Sequence, residues 1–238
     1  MDVGPRVKLL QHTDEPERTV ALAAKLCYSP ATIGGLSERV SRGEVKQFLR
    51  KLLDMGHLSP FEHASFTFGV EGISRVTSHQ LVRHRIASYS QQSQRYVEKM
   101  EQFEYIVPRS IGKKKGLKTR YENLMQELQA AYREFVDAGV PAEDARYVLP
   151  GAAETKLVVT MNARELRHFF RQRCCTRAQW EIRKMAELML GEVRRAAPAL
   201  FADSGPPCEA GYCPEGEMSC GRVAVREAGG DSERAPQG

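Results

Sequence analysis

No stretch of this 238-residue sequence is apolar over the roughly 20 consecutive positions a membrane-spanning helix requires, so no transmembrane segment and no membrane partner are expected. The opening residues, MDVGPRVKLLQHTDEPER, hold neither a basic region followed by an apolar core nor a small-residue cleavage site. No signal peptide is therefore expected, and the cytoplasm is the expected compartment. No Gly-x-Gly-x-x-Gly follows a predicted strand and no Walker A sequence occurs, so neither usual nucleotide-binding signature is present. A bound phosphate would have to be held by side chains and helix ends. There is no internal repeat. The C-terminal Cys208-x4-Cys213-x6-Cys220 could supply three thiolates to a zinc ion, with a fourth ligand from Cys174, Cys175, Cys27 or a histidine, but it lacks the usual Cys-x2-Cys pair, so free thiols are the favoured reading and no metal is expected.

What is present is ordinary for a soluble globular chain: 42% hydrophobic and 27% charged residues. The length suits one sizeable core. Residues 1–205 are expected to form one domain, and residues 206–238 a cysteine-rich tail with a disordered end. Six cysteines in a reducing compartment read as free thiols, catalytic groups or metal ligands rather than three disulfides. A net charge of +5 points to anionic partners without naming them.

Residues 19–28 (TVALAAKLCY) and 44–55 (EVKQFLRKLLDM) read as amphipathic helices, the second stopped by Gly56. Residues 64–73 alternate through Phe66, Phe68 and Val70, the period of a strand buried on one face. A helix over residues 74–84 follows, a short strand is expected at 104–107, and IGKKKGLK reads as a solvated basic loop. From Tyr121 the apolar positions Leu124, Leu128, Ala131 and Phe135 predict a long helix to Gly139. Pro141 suits the start of a short helix carrying Arg146. Residues 156–161 (KLVVTM) read as a buried strand, and Asn162 with Glu165 as a capping-box-like helix start. A last helix over residues 179–195 aligns Ile182, Ala186, Met189 and Val193. Helix clusters with a few strands and no regular βαβ alternation predict an α+β fold, helices packed around a small, mostly antiparallel sheet.

The densest polar stretch is RHRIASYSQQSQRY, residues 83–96. Arginine presents a planar fork that matches phosphate oxygens in pairs and keeps its charge, so Arg83, Arg85 and Arg95 are natural anion clamps. Gln80 lies on the same helix side as Arg83, and donors from helix and loop could converge on one ligand. A solvated basic helix end is the usual fate of such a run. Against it stand Ser88, Ser90, Gln91, Gln92, Ser93 and Gln94, neutral donors and acceptors suited to a heterocycle and a sugar phosphate.

Arg83-His84-Arg85, seven residues and Ser93 form an RHR-x7-S pattern. GHLSPFEH (56–63), VPAEDARYVLP (140–150) and MNARELRHFFRQRCCTRAQWEIR (161–183) accompany it. These segments, in this order and spanning about residues 20 to 200, resemble the flavin-dependent thymidylate synthases. The resemblance implies reductive methylation of dUMP to dTMP, with 5,10-methylenetetrahydrofolate as carbon donor and NADPH as reductant through FAD. It also implies a homotetramer with active sites at subunit junctions, and no nucleic-acid partner.

By the same resemblance Arg83, His84 and Arg85 contact FAD, and Arg83 with Gln80 lies near the nucleotide. Ser59, Glu62, Asn162, Arg164 and His168 fall at positions facing the flavin or its adenosine part. Gln91, Gln92, Ser93, Gln94 and Arg95 correspond to a loop lent across the interface to dUMP, Gln91 also reaching the cofactor. Arg146 matches a dUMP-binding arginine. Arg173 matches the arginine that stabilises negative charge on the uracil as N3 ionises, which is electrostatic catalysis by a permanent cation. Ser93 lacks a neighbouring base and is read as a binding residue. His57 is either a proton-handling or a structural histidine. Cys174 and Cys175 raise the chemistry of the unrelated cysteine-dependent synthases, but are read as small hydrophobes. His168, Ser90 and Arg177 stand where Asn, Asn and His occur in other members. The competing readings are an RNA or single-strand DNA binding module, which should interleave aromatic platforms with its cations, and a folate/flavin-dependent RNA uracil methyltransferase.

Overall fold

The computed structural model describes residues 3–40, 42–97 and 103–223, so the expected disorder of residues 224–238 lies outside the described part. In chain order the elements are β1 (Arg6–His12), α1 (Pro16–Leu26), α2 (Ile33–Arg39), α3 (Arg42–Asp54), β2 (Ser65–Ser74), α4 (Arg75–Leu81), β3 (Ala87–Gln91), α5 (Arg109–Gly112), α6 (Lys115–Asp137), α7 (Ala142–Ala145), β4 (Glu154–Asn162), α8 (Ala163–Arg173), α9 (Trp180–Ala196) and α10 (Pro198–Phe201). The strands form one antiparallel sheet of order β1-β2-β4-β3.

The alternation in β2 and β4 sets the layers. Phe66, Phe68 and Val70 pair in register with Met161, Val159 and Leu157, and all six are buried. They pack against Val20 of α1, Leu49 of α3, Phe169 and Phe170 of α8, and Met185 and Met189 of α9 in one core. The opposite strand positions include Thr67 and Thr160, whose hydroxyls bond each other at 2.9 Å, and the exposed Val158. The fold is α+β as expected.

Three sequence expectations are corrected. The lysine-rich loop is largely helical: α5 ends just before Lys113, and α6 begins at Lys115. The face of α6 is also shifted, because Met125, Gln129 and Tyr132 are buried while Leu124 and Phe135 are exposed. This helix packs on a second, smaller cluster with Phe103, Tyr105, Val107 and Ala153, where the Gln129 side-chain carbonyl accepts the Phe103 N–H at 2.9 Å. An apolar count passes over that inward glutamine. The strand expected at 104–107 is a single bridge between Tyr105 and Ala153.

Gly72 sits where the β2–β4 register shifts, with φ of 70°. A Cβ there would lie 2.1 Å from the Gly4 carbonyl oxygen, so no side chain fits without moving backbone. Its N–H donates to Glu154 Oε1 at 2.9 Å.

Candidate active site

The site is built where α4 hands the chain to β3. Ser74 caps α4, its Oγ accepting the Thr77 N–H at 3.0 Å. Its own N–H and hydroxyl donate to the two carboxylate oxygens of buried Glu181 at 2.6 and 2.8 Å. Glu181 opens α9, whose start Gln179 caps by accepting the N–H groups of Glu181 and Ile182. Trp180 lies 5.1 Å beneath the Arg109 guanidinium. The AQWEI segment thus braces the helix that carries Gln80 toward Arg83. Beyond α4, the Tyr89 hydroxyl lies 2.7 Å from the His84 carbonyl and 2.9 Å from that of Leu81, and its one proton is shared between them. The turn is thereby pinned with Arg83 and Arg85 outward and His84 inward.

His84 is 5% exposed and packs edge-on against Phe169. Burial, then the nearby Arg173 and His168, lower its pKa to about 4, so the ring is neutral near pH 7. Its Nδ1 lies 3.2 Å from Glu165 Oε1, and Arg173 Nε donates to its Nε2 at 3.0 Å. Since Nε2 must accept, the proton sits on Nδ1 and is donated to Glu165. The contact is a hydrogen bond of a neutral ring rather than an ion pair. Burial raises the Glu165 pKa and lowers that of Arg173. Arg173 Nη2 also reaches the Gln80 carbonyl at 3.5 Å. The guanidinium is therefore held along its Nε–Nη2 edge, and among the described residues Nη1 makes no hydrogen bond.

Asn162 caps α8 as its sequence suggests, accepting the Glu165 N–H at 2.8 Å. The Glu165 side chain, however, goes to His84, so the capping box is half formed and its carboxylate serves the site.

Beside this relay lies a cavity of about 850 Å³ lined by Glu62, Asn162, Arg164, Glu165, His168 and Arg171, with Ile86, Arg167, Asp203 and Tyr212 among the remainder. Glu62 pairs with Arg164, and Arg167 with Asp203 at 2.8 and 3.1 Å. Arg171 has no ion-pair partner among the described residues, which leaves one uncompensated cation on the wall. With the cap made through Oδ1, the Asn162 amide group remains as a donor. A wide pocket rimmed by arginines, histidine and an amide suits a large anionic cofactor carrying a heterocycle.

Four of the positions expected to face a flavin, Glu62, Asn162, Arg164 and His168, thus share one cavity. Ser59 opens the adjoining 3₁₀ turn and is exposed. Gln91, Gln92, Ser93, Gln94 and Arg95 are not beside them. Strand β3 pairs Ala87 with Met161 and Gln91 with Leu157, so its four steps carry the chain about 13 Å along the sheet. At that far end Gln91 donates to Thr155 Oγ1 at 3.0 Å and the Gln92 N–H to the Lys156 carbonyl at 2.8 Å. Ser93 Oγ accepts the Arg95 N–H at 3.1 Å. Arg95 pairs with Glu143 at 2.5 Å, and Arg146 Nε donates to the Glu143 carbonyl at 2.9 Å. Strand β3 thus sets the Gln91–Arg95 group apart from the turn that carries Arg83 and Arg85.

His57 meets the exposed Tyr28, its Nδ1 3.4 Å from the phenol oxygen, and does not line the cavity. Cys174 belongs to the core, and its thiol pKa is pushed up to about 12, chiefly by burial, so it is protonated and not a nucleophile. Sequence reasoning missed two site residues, Glu165 and Arg171. Glu165 was legible only as a cap, and Arg171 is one of several arginines in RHFFRQR.

Comparison with known proteins agrees with this architecture. The family model described as "Thymidylate synthase complementing protein" matches residues 8–199. A flavin-dependent thymidylate synthase of Geobacter sulfurreducens is 58% identical, over 92% of this chain and 95% of its own. That of Clostridium tetani is 52% identical over 93% and 95%, and that of Pyrococcus furiosus 45% over 90% and 91%. The fold resembles that of the UMP/dUMP methylase PolB from Streptomyces cacaoi, solved with 5-Br dUMP, at a TM-score of 0.74, 24% identity, and coverage of 85% of this chain and 96% of that one. Length, identity and fold agree that the chain belongs to the flavin-dependent thymidylate synthase family.

Proposed function

We infer that the protein is a flavin-dependent thymidylate synthase that methylates dUMP to dTMP, with Arg173 as the cation that meets the uracil. The observation that carries this reading is the chain of hydrogen bonds that runs from Glu165, on the wall of a large arginine-rimmed cavity, inward through His84 to Arg173, in a member of this family. Arg164, Arg171, Asn162 and His168 would hold FAD there, with Arg83 and Arg85 presenting exposed cations at the adjoining turn. When bound, the flavin carries reducing equivalents from NADPH to the carbon supplied by 5,10-methylenetetrahydrofolate.

What the residues do follows from their chemistry. Neutral His84 fixes the Arg173 plane without adding a competing positive charge, and Glu165 fixes the His84 tautomer. An arginine aimed in this way and held in place before the substrate arrives stabilises developing anionic charge without reorganising. Gln91 to Arg95 and Arg146 form the second polar group, assigned to dUMP of a neighbouring subunit in a homotetramer. The separation of the two groups along β3, about 13 Å by its register, supports that arrangement. The nucleic-acid reading is disfavoured by Tyr89, whose hydroxyl is tied to the backbone, leaving Tyr96 as the exposed ring of the motif.

The test is a flavin absorbance spectrum that bleaches with NADPH, together with tritium release from C5-labelled dUMP that requires methylenetetrahydrofolate. A colourless protein that FAD does not reconstitute, or the lack of tritium release, overturns the reading. Ser93→Ala should raise KM for dUMP while turnover persists at saturating dUMP. Complete loss of turnover with unchanged dUMP binding would instead make Ser93 a nucleophile.

A further inference from the structure

Four of the six cysteines line one pocket. Cys175, just past α8, faces Cys208, Cys213 and Cys220 of the C-terminal segment across a space of about 300 Å³. The two others lie elsewhere, Cys174 in the core and Cys27 exposed after α1.

The segment that supplies three of these thiols lacks the usual reason to be ordered. None of residues 205–223 is buried. The backbone consists of short 3₁₀ turns at Pro207–Ala210 and Gly216–Met218, punctuated by Gly211, Gly216 and Gly221 at positive φ. Its ion pairs to the body are Arg177–Glu215 at 3.0 Å and Arg194–Glu209 at 3.9 Å, both partly exposed. Such pairs add little, and a chain ordered without burying apolar side chains does not recover its lost entropy. Small turn-rich segments of this composition are held instead by covalent or metal clips.

We propose that Cys175, Cys208, Cys213 and Cys220 form a tetrathiolate site for one zinc ion, which fastens residues 206–223 to the C-terminal end of α8. Cys208-x4-Cys213 has a spacing that structural zinc sites use. On binding, each thiol gives its proton to solvent, and the Zn²⁺ with four thiolates carries a net charge of −2. Arg171, Arg173 and Arg177 line the same pocket and complement that charge. Among the described residues no three cysteine, histidine or carboxylate groups are already drawn together as ligands, so the thiols sharing the pocket turn toward its centre on binding. The fastening matters beyond the tail, because Pro206, Pro207, Ala210 and Tyr212 of the same segment wall the large cavity.

The test is metal analysis of the full chain after incubation with zinc alone and removal of excess. About one zinc per chain is expected, lost in Cys208→Ser and in Cys220→Ser and retained in Cys27→Ser. Hydrogen exchange of residues 206–223 in the wild type should speed up on chelation and slow again when zinc is returned, a readout that needs no substitution. Zinc-free wild type, zinc retained in both serine variants, or iron with sulfide in its place overturns the proposal. Metal counting requires neither flavin nor turnover. An active but zinc-free enzyme therefore overturns this site alone, and an inactive chain that binds zinc through Cys208 and Cys220 supports it.

Discussion

At the scale of the residue, the arginines that flank His84 draw attention, but the uncharged ring between them does the positioning. Removing its acceptor should release it. Glu165→Ala is expected to lower kcat by about 10- to 100-fold, the cost of one unsatisfied buried partner, with little change in KM for dUMP. Glu165→Gln keeps an oxygen for the Nδ1–H and should recover much of the rate. Steady-state kinetics on the flavin-loaded protein decides between these outcomes. The same ring gives a pH dependence. Its folded pKa of about 4 lies below the ordinary 6.5, so the unfolded chain takes up a proton first as pH falls. The stability that neutral His84 contributes is complete above pH 6.5 and is lost on descent toward pH 4. Glu165, whose pKa is raised, binds its proton first in the folded state and offsets part of that loss. Thermal midpoints from pH 7.5 to 4.5 should therefore fall more steeply for the wild type than for His84→Gln. None of this was legible in the sequence, where Glu165 three residues after Asn162 has a sufficient local role as a cap. The distant partner that takes its carboxylate is 81 residues away and is set only by the fold.

At the scale of the element, the patterns that could be read were those written in apolar side chains. Strands β2 and β4 and helices α8 and α9 bury every second or every third to fourth residue, and their periodicity is plain. Strands β1 and β3 are sheet edges with no fully buried residue, and in ASYSQ the alternation of Ala87 and Tyr89 with serines is too short and too weakly apolar to stand out from its polar neighbours. Two bracing contacts are equally invisible to periodicity and can be tested. Gly72→Ala must move backbone away from Gly4, and should destabilise the chain by more than about 1 kcal/mol in urea unfolding. Glu181→Ala removes the acceptor of two Ser74 donors at the start of α4. It should cost about 1–3 kcal/mol in the same measurement and loosen the turn that bears Arg83 and Arg85. Retention of full stability by Glu181→Ala would mean that α4 is held by its apolar contacts alone.

At the scale of the whole molecule, the two polar groups assigned to cofactor and nucleotide belong to one chain but are set apart along β3, and the proposed function makes assembly part of the chemistry. Co-expression tests this directly. Arg173→Ala and Arg95→Ala should each be nearly inactive alone, and hybrids of the two should regain part of the activity, because some junctions then receive an intact member of each group. Hybrids with no more activity than the separate variants would place a complete site within one subunit. The two polar groups meet in the sequence at β3, where Ile86 to Ser90 separate the cofactor turn from the nucleotide loop. That strand acts as a ruler with fixed graduations. Losing one residue would both shorten the interval and swap which side chains look inward, so its length can change only in pairs. A motif that looks like one continuous signature is, in these terms, two half-signatures joined by a spacer whose composition is free to drift while its count is not.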